Sequence, residues 1–191
     1  MCIRDREENR ILVRHGLELM KQTQNVGLHA LMEVNQILPW QDGKLGAFHI
    51  GFVLGPCLNA SGRLDSAQRA MELLDSKTRE AAVAQAAFLK QLNDSRKEMT
   101  EEYVKIAVEM IESGPLKDDC VLVVFLPDCH ESIAGIIAGR IRERYYRPTF
   151  VLTRGEEGVK GSARSIEGYH IYEEMTKCSS FFTKYGGHKM A

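Results

Sequence analysis

The chain has 191 residues, 44% of them hydrophobic, enough to bury one ordinary core or two small ones. Its 25 Lys and Arg against 26 Asp and Glu leave a formal net charge of -1, which excludes recognition of a polyanion through overall basicity and confines any such contact to a local patch. The five cysteines (Cys2, Cys57, Cys120, Cys129, Cys178) are odd in number and form no Cys-x-x-Cys pair, which speaks against a disulfide framework and a zinc site and for a reducing, cytoplasmic setting.

The head, Met1 to Arg6, has no signal-peptide core, and no apolar run is long enough for a membrane span, so a soluble chain is expected. A first helix is predicted from Asn9 to Met20, with Asn9 as cap and Ile11, Leu12 and Leu19 as its apolar positions, and a second from Val26 to Ile37. Pro39, Gly43 and Gly46 then break the chain, and a short apolar segment, Ala47 to Leu54, leads into Gly55-Pro56-Cys57-Leu58-Asn59-Ala60-Ser61-Gly62-Arg63. That segment is rich enough in Gly, Pro and Asn to be read as an irregular loop. From Ser76 to Glu112 there is no Gly or Pro, and Phe88, Leu92, Met99, Tyr103, Ile106 and Met110 recur at helical spacing. A helix there would run roughly 55 Å, a length suited to bridging two lobes. Ser113-Gly114-Pro115 ends it.

The period then changes. Cys120 to Leu126 reads as a buried strand, Pro127-Asp128-Cys129-His130 as a turn, and Glu131 to Tyr145 as a helix. A strand at Phe150 to Leu152, a turn at Gly155 to Gly158, a strand at Lys160 to Arg164 and a short helix at Ile171 to Lys177 follow. Strand, helix, strand implies a parallel pair with a crossover, so the latter part of the chain is expected to be α/β. Both ends look cut: charges begin at Arg4, and Tyr185 to Ala191 reads as a loop entering a helix that does not arrive.

Three segments place glycine beside a group able to hold phosphate. In the first, Asn59 can hydrogen-bond and Arg63 offers a bidentate fork, although an Arg63 to Asp65 pair in an ordinary turn is equally compatible with the pattern. In the second, Lys160-Gly161-Ser162-Ala163-Arg164-Ser165, two hydroxyls and two cations lie on a strand; taken alone, a solvated polar strand is the commoner outcome. In the third, Gly186-Gly187-His188, a following helix would offer free N–H groups to an anion, and an ordinary turn is the commoner outcome for a lone Gly-Gly. Between Arg140 and Arg164 seven cations face three acids, a local balance of +4.

Asp128, His130 and Glu131 suggest a metal site, but adjacent residues rarely converge on one ion, and acids gather at helix N-termini for dipole reasons. His15, His29 and His49 stand singly and are expected to be structural. Phosphodiester hydrolysis with two metal ions needs several converging carboxylates. No Asp-His-His run or close carboxylate pair with helical metal spacing occurs, so neither a catalytic nor a metal residue is assigned.

In order, Glu8-Asn9-Arg10-Ile11-Leu12, the Gly55 to Leu64 segment, His130 to Arg140 with Arg144-Tyr145-Tyr146-Arg147-Pro148, Lys160 to Ile166, and Gly186-Gly187-His188 resemble the successive later motifs of RecJ-type exonucleases of the DHH/DHHA1 phosphoesterase family. The resemblance implies an α/β fold: the helical tail of a DHH lobe (residues 1–75), a long connecting helix (76–113) and a small mixed-sheet DHHA1 lobe (114–191). It further implies a fragment of a Mn2+- or Mg2+-dependent 5′-to-3′ exonuclease of single-stranded DNA acting in repair and recombination. Its partners would be single-stranded DNA and single-strand-binding protein, with no membrane contact. By similarity Asn59 and Arg63 would face the scissile region, and His130, Ser162, Arg164, Ser165, Gly187 and His188 would line the DHHA1 side of the substrate cleft.

Two departures from the family pattern are Cys57, where relatives commonly have Arg, and Ser132, where Gly is usual. Two other functions share parts of this pattern. A DHH/DHHA1 phosphodiesterase of cyclic dinucleotides or short oligonucleotides would keep the Gly-Gly-His and Gly-Ser-x-Arg-Ser elements, and a non-catalytic nucleic-acid-binding module would keep all of them. The Gly55 to Arg63 segment and the long helix favour the exonuclease.

Overall fold

A computed structural model describes residues 7–191 except Glu157 and the side chain of Asp42. The charged head with Cys2, and the Glu157 contribution to the basic patch, lie outside the described residues. The chain divides into two compact units, residues 1–96 and 97–191.

The first unit is helical: α1 Glu7–Lys21, α2 Val26–Val34, the short turns α3 Pro39–Asp42 and α4 Ala47–His49, α5 Gly55–Leu64, α6 Gln68–Leu74, and the first part of α7 Arg79–Ser113. Asn25 caps α2 by accepting from Leu28 N at 2.9 Å and donates to Leu74 O at 2.9 Å, which ties α2 to the end of α6. Ala30, Leu31, Met32, Leu54, Cys57 and Leu73 close on Ala82, Ala86 and Leu89 to make the core. The α1 expectation needs correction on its face: Ile11, Leu12 and Leu19 are exposed, whereas Leu17 and Met20 pack against the core. Apolar residues occur on two faces of this helix, and spacing alone does not choose between them.

The expected loop at Gly55 to Arg63 is helix α5, entered through a π-helical turn at Ile50–Leu54. Pro56 follows directly on that π-helical turn, at the second position of α5. Gly55 is required by contact: a Cβ there would lie 2.7 Å from Ile50 O, where the wide turn crowds the backbone. The apolar segment before it is likewise helical in its local geometry.

Helix α7 has 35 residues, about 52 Å at the usual rise. Its buried positions are Ala82, Ala86, Leu89 and Asn93 in one unit, and Thr100, Ala107 and Ile111 in the other. Phe88, Ile106 and Met110, expected on the packed face, are more than one-third exposed. Small residues mark the closest approach here, so the large apolar ones flank the contact instead of filling it.

The second unit holds a three-stranded sheet in the order β1-β2-β3: β1 Leu122–Phe125, β2 Thr149–Gly155, β3 Gly158–Arg164. β1 and β2 are parallel and joined through α8 Glu131–Tyr145, and β2 and β3 form an antiparallel hairpin. The mixed α/β sheet is therefore the expected one. Leu122, Val124 and Val151 pack with Ile133, Ile137 and Ile141 of α8 and with Ala107 and Ile111. The expected buried strand is half-buried: β1 is buried on that face only, since Val123 and Phe125 are exposed on the other. Helix α9, Ile171–Lys177, and a 3-10 turn at Ser179–Phe181 complete the unit. Among the described residues no helix is long and apolar enough to cross a membrane.

Candidate nucleic-acid interface

Helix α8 begins at His130, whose Nδ1 accepts from Ser132 N at 3.3 Å and lies 2.7 Å from Ser132 Oγ. The trio weighed as a metal site is thus divided among separate tasks. His130 caps the helix, Glu131 pairs with Lys160 Nζ at 2.8 Å, and the Asp128 carbonyl accepts from Tyr103 Oη at 2.6 Å. The bond from Lys160 and its charge hold the Glu131 carboxyl below the usual carboxylate range.

One turn further along, Gly135 brings α8 close to β3. A Cβ at this position would lie 2.8 Å from Ser162 Oγ and 2.9 Å from Arg164 Nη2. Arg164 Nη1 donates to Ala163 O at 2.6 Å and to Ser162 Oγ at 3.3 Å, so the guanidinium is held against its own strand with Nη2 toward the helix. Beside this junction is a pocket of about 240 Å3 lined by Glu131, Ser132, Ala134, Thr153, Lys160 and Gly161. Thr153 anchors its floor by donating to the Cys129 carbonyl. A helix N-terminus, two hydroxyls, an ammonium and a guanidinium thus share one face of the second unit, donors suited to phosphate oxygens.

His130, Ser162 and Arg164 are brought to this face. Ser165 is buried: its hydroxyl donates to Tyr169 O at 2.6 Å and its N–H to Met190 O at 2.9 Å, so it fastens the turn after β3. Gly187 and His188 sit in a turn in which His188 N donates to Ala191 O at 2.6 Å, and a Cβ on Gly187 would strike that oxygen. Asn59 and Arg63 belong to the first unit, one turn apart on the exposed face of α5, and Asp65 pairs with Arg69 at 3.4 Å. Cys57 is fully buried, its Sγ 3.8 Å from Asn35 Oδ1, so this position faces the core of its unit.

The basic patch is partly spent on structure. Arg147 donates to Lys117 O and Asp119 O at 2.6 and 3.1 Å, Arg142 pairs with Glu143 at 3.2 Å, and Arg144 lies 5.7 Å from the Tyr145 ring centroid. His29 stacks on Trp40 at 3.8 Å and His49 Nδ1 accepts from Gly46 N at 3.0 Å, both structural roles. Reading the sequence missed Gly135, Thr153 and the pairing role of Glu131. The signal for Gly135 was available, because a glycine inside an Ile- and Ala-rich helix costs about 1 kcal/mol and implies a close approach. Among the described residues no group of three or more His, Cys, Asp or Glu side chains is placed to hold a metal ion.

Residues 118–191 match the DHHA1 domain family. The chain is 36% identical over 190 residues to the single-stranded-DNA-specific exonuclease RecJ of Bacillus subtilis, covering 97% of this chain and 23% of that protein. It is 34% identical over 192 residues to RecJ of Salmonella typhimurium, covering 96% and 33%. The crystal structure of RecJ in complex with Mg2+ from Thermus thermophilus superposes with a TM-score of 0.80 at 30% identity over 95% of this chain and 27% of that one. A crystal structure of exonuclease RecJ bound to manganese gives 0.78 at 30% identity, covering 95% and 44%. The chain thus spans 23% to 33% of the length of the curated relatives it matches.

Proposed function

We propose that this chain, homologous to RecJ over nearly its whole length and carrying a DHHA1 domain at residues 118–191, supplies a nucleic-acid-gripping surface of a single-strand-specific 5′-to-3′ exonuclease. In this reading residues up to about Asp75 are the end of a DHH lobe, 76–113 the connector and the rest the DHHA1 lobe. The whole enzyme hydrolyses phosphodiester bonds of single-stranded DNA, serves repair and recombination in the cytoplasm, and works beside single-strand-binding protein. Divalent ions enter because RecJ structures hold Mg2+ or Mn2+. The described residues of this chain do not fit such an ion, so the part played here is binding, and the chain alone is expected to leave 5′-labelled single-stranded DNA intact.

The observation that carries this reading is the α8–β3 junction. Gly135 lets the helix approach closely enough for the Ser162 hydroxyl and the Arg164 guanidinium to lie beside its first turns. Backbone phosphates meet Arg164 as a fixed fork, Ser162 as a hydroxyl donor and Lys160 as a point charge, with His130 at the helix start. Ser165, Gly187 and His188 belong to the same proposed contact set on the second unit, Ser165 by fixing the turn; Asn59 and Arg63 are proposed as contacts of the first unit, each unit taken by itself. Binding of a labelled oligo(dT) to the purified chain, followed across salt concentrations, tests the proposal. Arg164→Ala should weaken binding and flatten the salt slope by about one charge. Equal affinity of both proteins at low salt would sink it.

A further inference from the structure

Four aromatic side chains near the Gly186-Gly187-His188 turn play no part in the phosphate contacts above. Tyr172 and Tyr185 have ring centroids 6.0 Å apart, and Phe182 and Tyr185 are 5.6 Å apart, both pairs tilted. Phe181 is 84% exposed, while Phe182 and Tyr172 are 37% and 38% exposed. The 3-10 turn at Ser179–Phe181 runs directly into extended backbone at Phe182, and its neighbours Ser179, Ser180, Thr183 and Lys184 are polar. A Cβ on Gly187 would lie 3.9 Å from Tyr172 Cδ2, so this ring stands against the Gly-Gly turn.

Charge identifies the occupant. From Met175 to Ala191 the chain carries Lys177, Lys184 and Lys189 and no acid. Lys177 is taken up by Glu174 at 2.7 Å, whereas Lys184 and Lys189 flank Tyr185 and the turn in sequence. Exposed π-faces between cations suit a ligand that is both planar and polyanionic, which describes the bases and backbone of an unpaired nucleic-acid strand. We infer that Tyr172, Phe181, Phe182 and Tyr185 form a base-stacking platform for single-stranded nucleic acid at this turn, a surface distinct from the phosphate contacts at α8 and β3. The inference rests on the proposed gripping function and adds how the bases themselves are held. Such a platform favours single strands, since paired bases present no free face to a ring.

The test compares two fluorescent oligomers of equal length, oligo(dT) and an abasic deoxyribose-phosphate strand, binding to the full chain by anisotropy. The wild type should hold oligo(dT) at least about five-fold more tightly than the abasic strand. Phe181→Leu keeps an apolar side chain at an exposed position but removes the π-face; it should erase much of that margin and leave abasic binding unchanged. Phe181→Trp should preserve it. Circular dichroism of the variants confirms the fold. Equal affinity for the two strands, or a Phe181→Leu protein that keeps the full margin, overturns the platform while leaving Arg164-dependent binding standing. If neither strand binds, the gripping function itself fails and the platform with it.

Discussion

Lys160 Nζ lies 2.8 Å from Glu131 Oε2, so a cation counted in the basic patch is already matched by an acid from the first turn of α8. Both residues line the same pocket. Glu131→Gln removes that counter-charge and should tighten oligo(dT) binding about two- to five-fold at low salt, with the gain fading above roughly 0.3 M salt as screening shortens. The pH dependence has a defined sign. Because the Glu131 carboxyl is held below its usual range, the pair persists above that range and is lost as pH falls through the lowered value. The wild type should therefore show a rise in affinity from this group only in strongly acidic solution, and Glu131→Gln should lack it. A binding titration from neutral to acid pH decides the matter.

Gly135 and Gly139 separate stability from binding. Both lie inside α8, but only Gly135 has neighbours that a Cβ would strike, and these are the side-chain ends of Ser162 and Arg164, which can move. Gly→Ala in a helix interior is worth up to about 1 kcal/mol. Gly139→Ala should gain that stability and leave binding alone. Gly135→Ala should cost little or no stability yet weaken oligo(dT) binding several-fold, because Arg164 is pushed from its place. Urea unfolding and anisotropy on the two variants provide the comparison.

Much of the second unit was legible because its periods are clean. The run from Leu122, the helix from Glu131 and the strand at Phe150 alternate in a way that forces a parallel pair with a crossover, and the structure has it. The absence of Gly and Pro likewise disclosed the long helix. Two features were hidden for physical reasons. Pro56 and Gly55 read as breakers, yet both follow directly on a π-helical turn inside a continuous helical run, and Gly55 sits where that turn leaves no room for a side chain. Along α7 the closest packing falls on alanines, which a search for large apolar residues passes over. The Ser162 and Arg164 pairing with Gly135 depends on strand register, which composition does not reveal.

Gly27 carries the packing of α2 on α6. A Cβ there would lie 1.9 Å from Leu73 O and 3.1 Å from Leu74 Cα, backbone atoms that no rotamer change can move aside. Gly27→Ala should destabilise the first unit by about 1–3 kcal/mol or more, even though alanine is the better helix former. A lowered denaturation midpoint for the helical signal checks this. A variant as stable as the wild type would show that α2 and α6 can separate at no cost.

The four cysteines among the described residues give the last prediction, since they are free thiols that burial sorts into two pairs. Cys57 and Cys129 are buried, and Cys120 and Cys178 are exposed. Burial alone pushes the Cys129 thiol up to about 11, so at pH 8 it offers almost no thiolate and no path for a reagent. Iodoacetamide applied to the folded chain at that pH should modify Cys120 and Cys178 and spare Cys57 and Cys129, as peptide mass spectrometry would read. All four should react in denaturant. The sign of the linkage follows from the raised value: the neutral thiol sits in the core at no electrostatic cost below the ordinary thiol range, and its share of stability is lost as pH climbs from there toward 11, because only the unfolded chain can ionise. Cys129→Ala should remove that alkaline loss. It should also cost about 1 kcal/mol or more at neutral pH, because the Cys129 side chain packs in the core of the second unit.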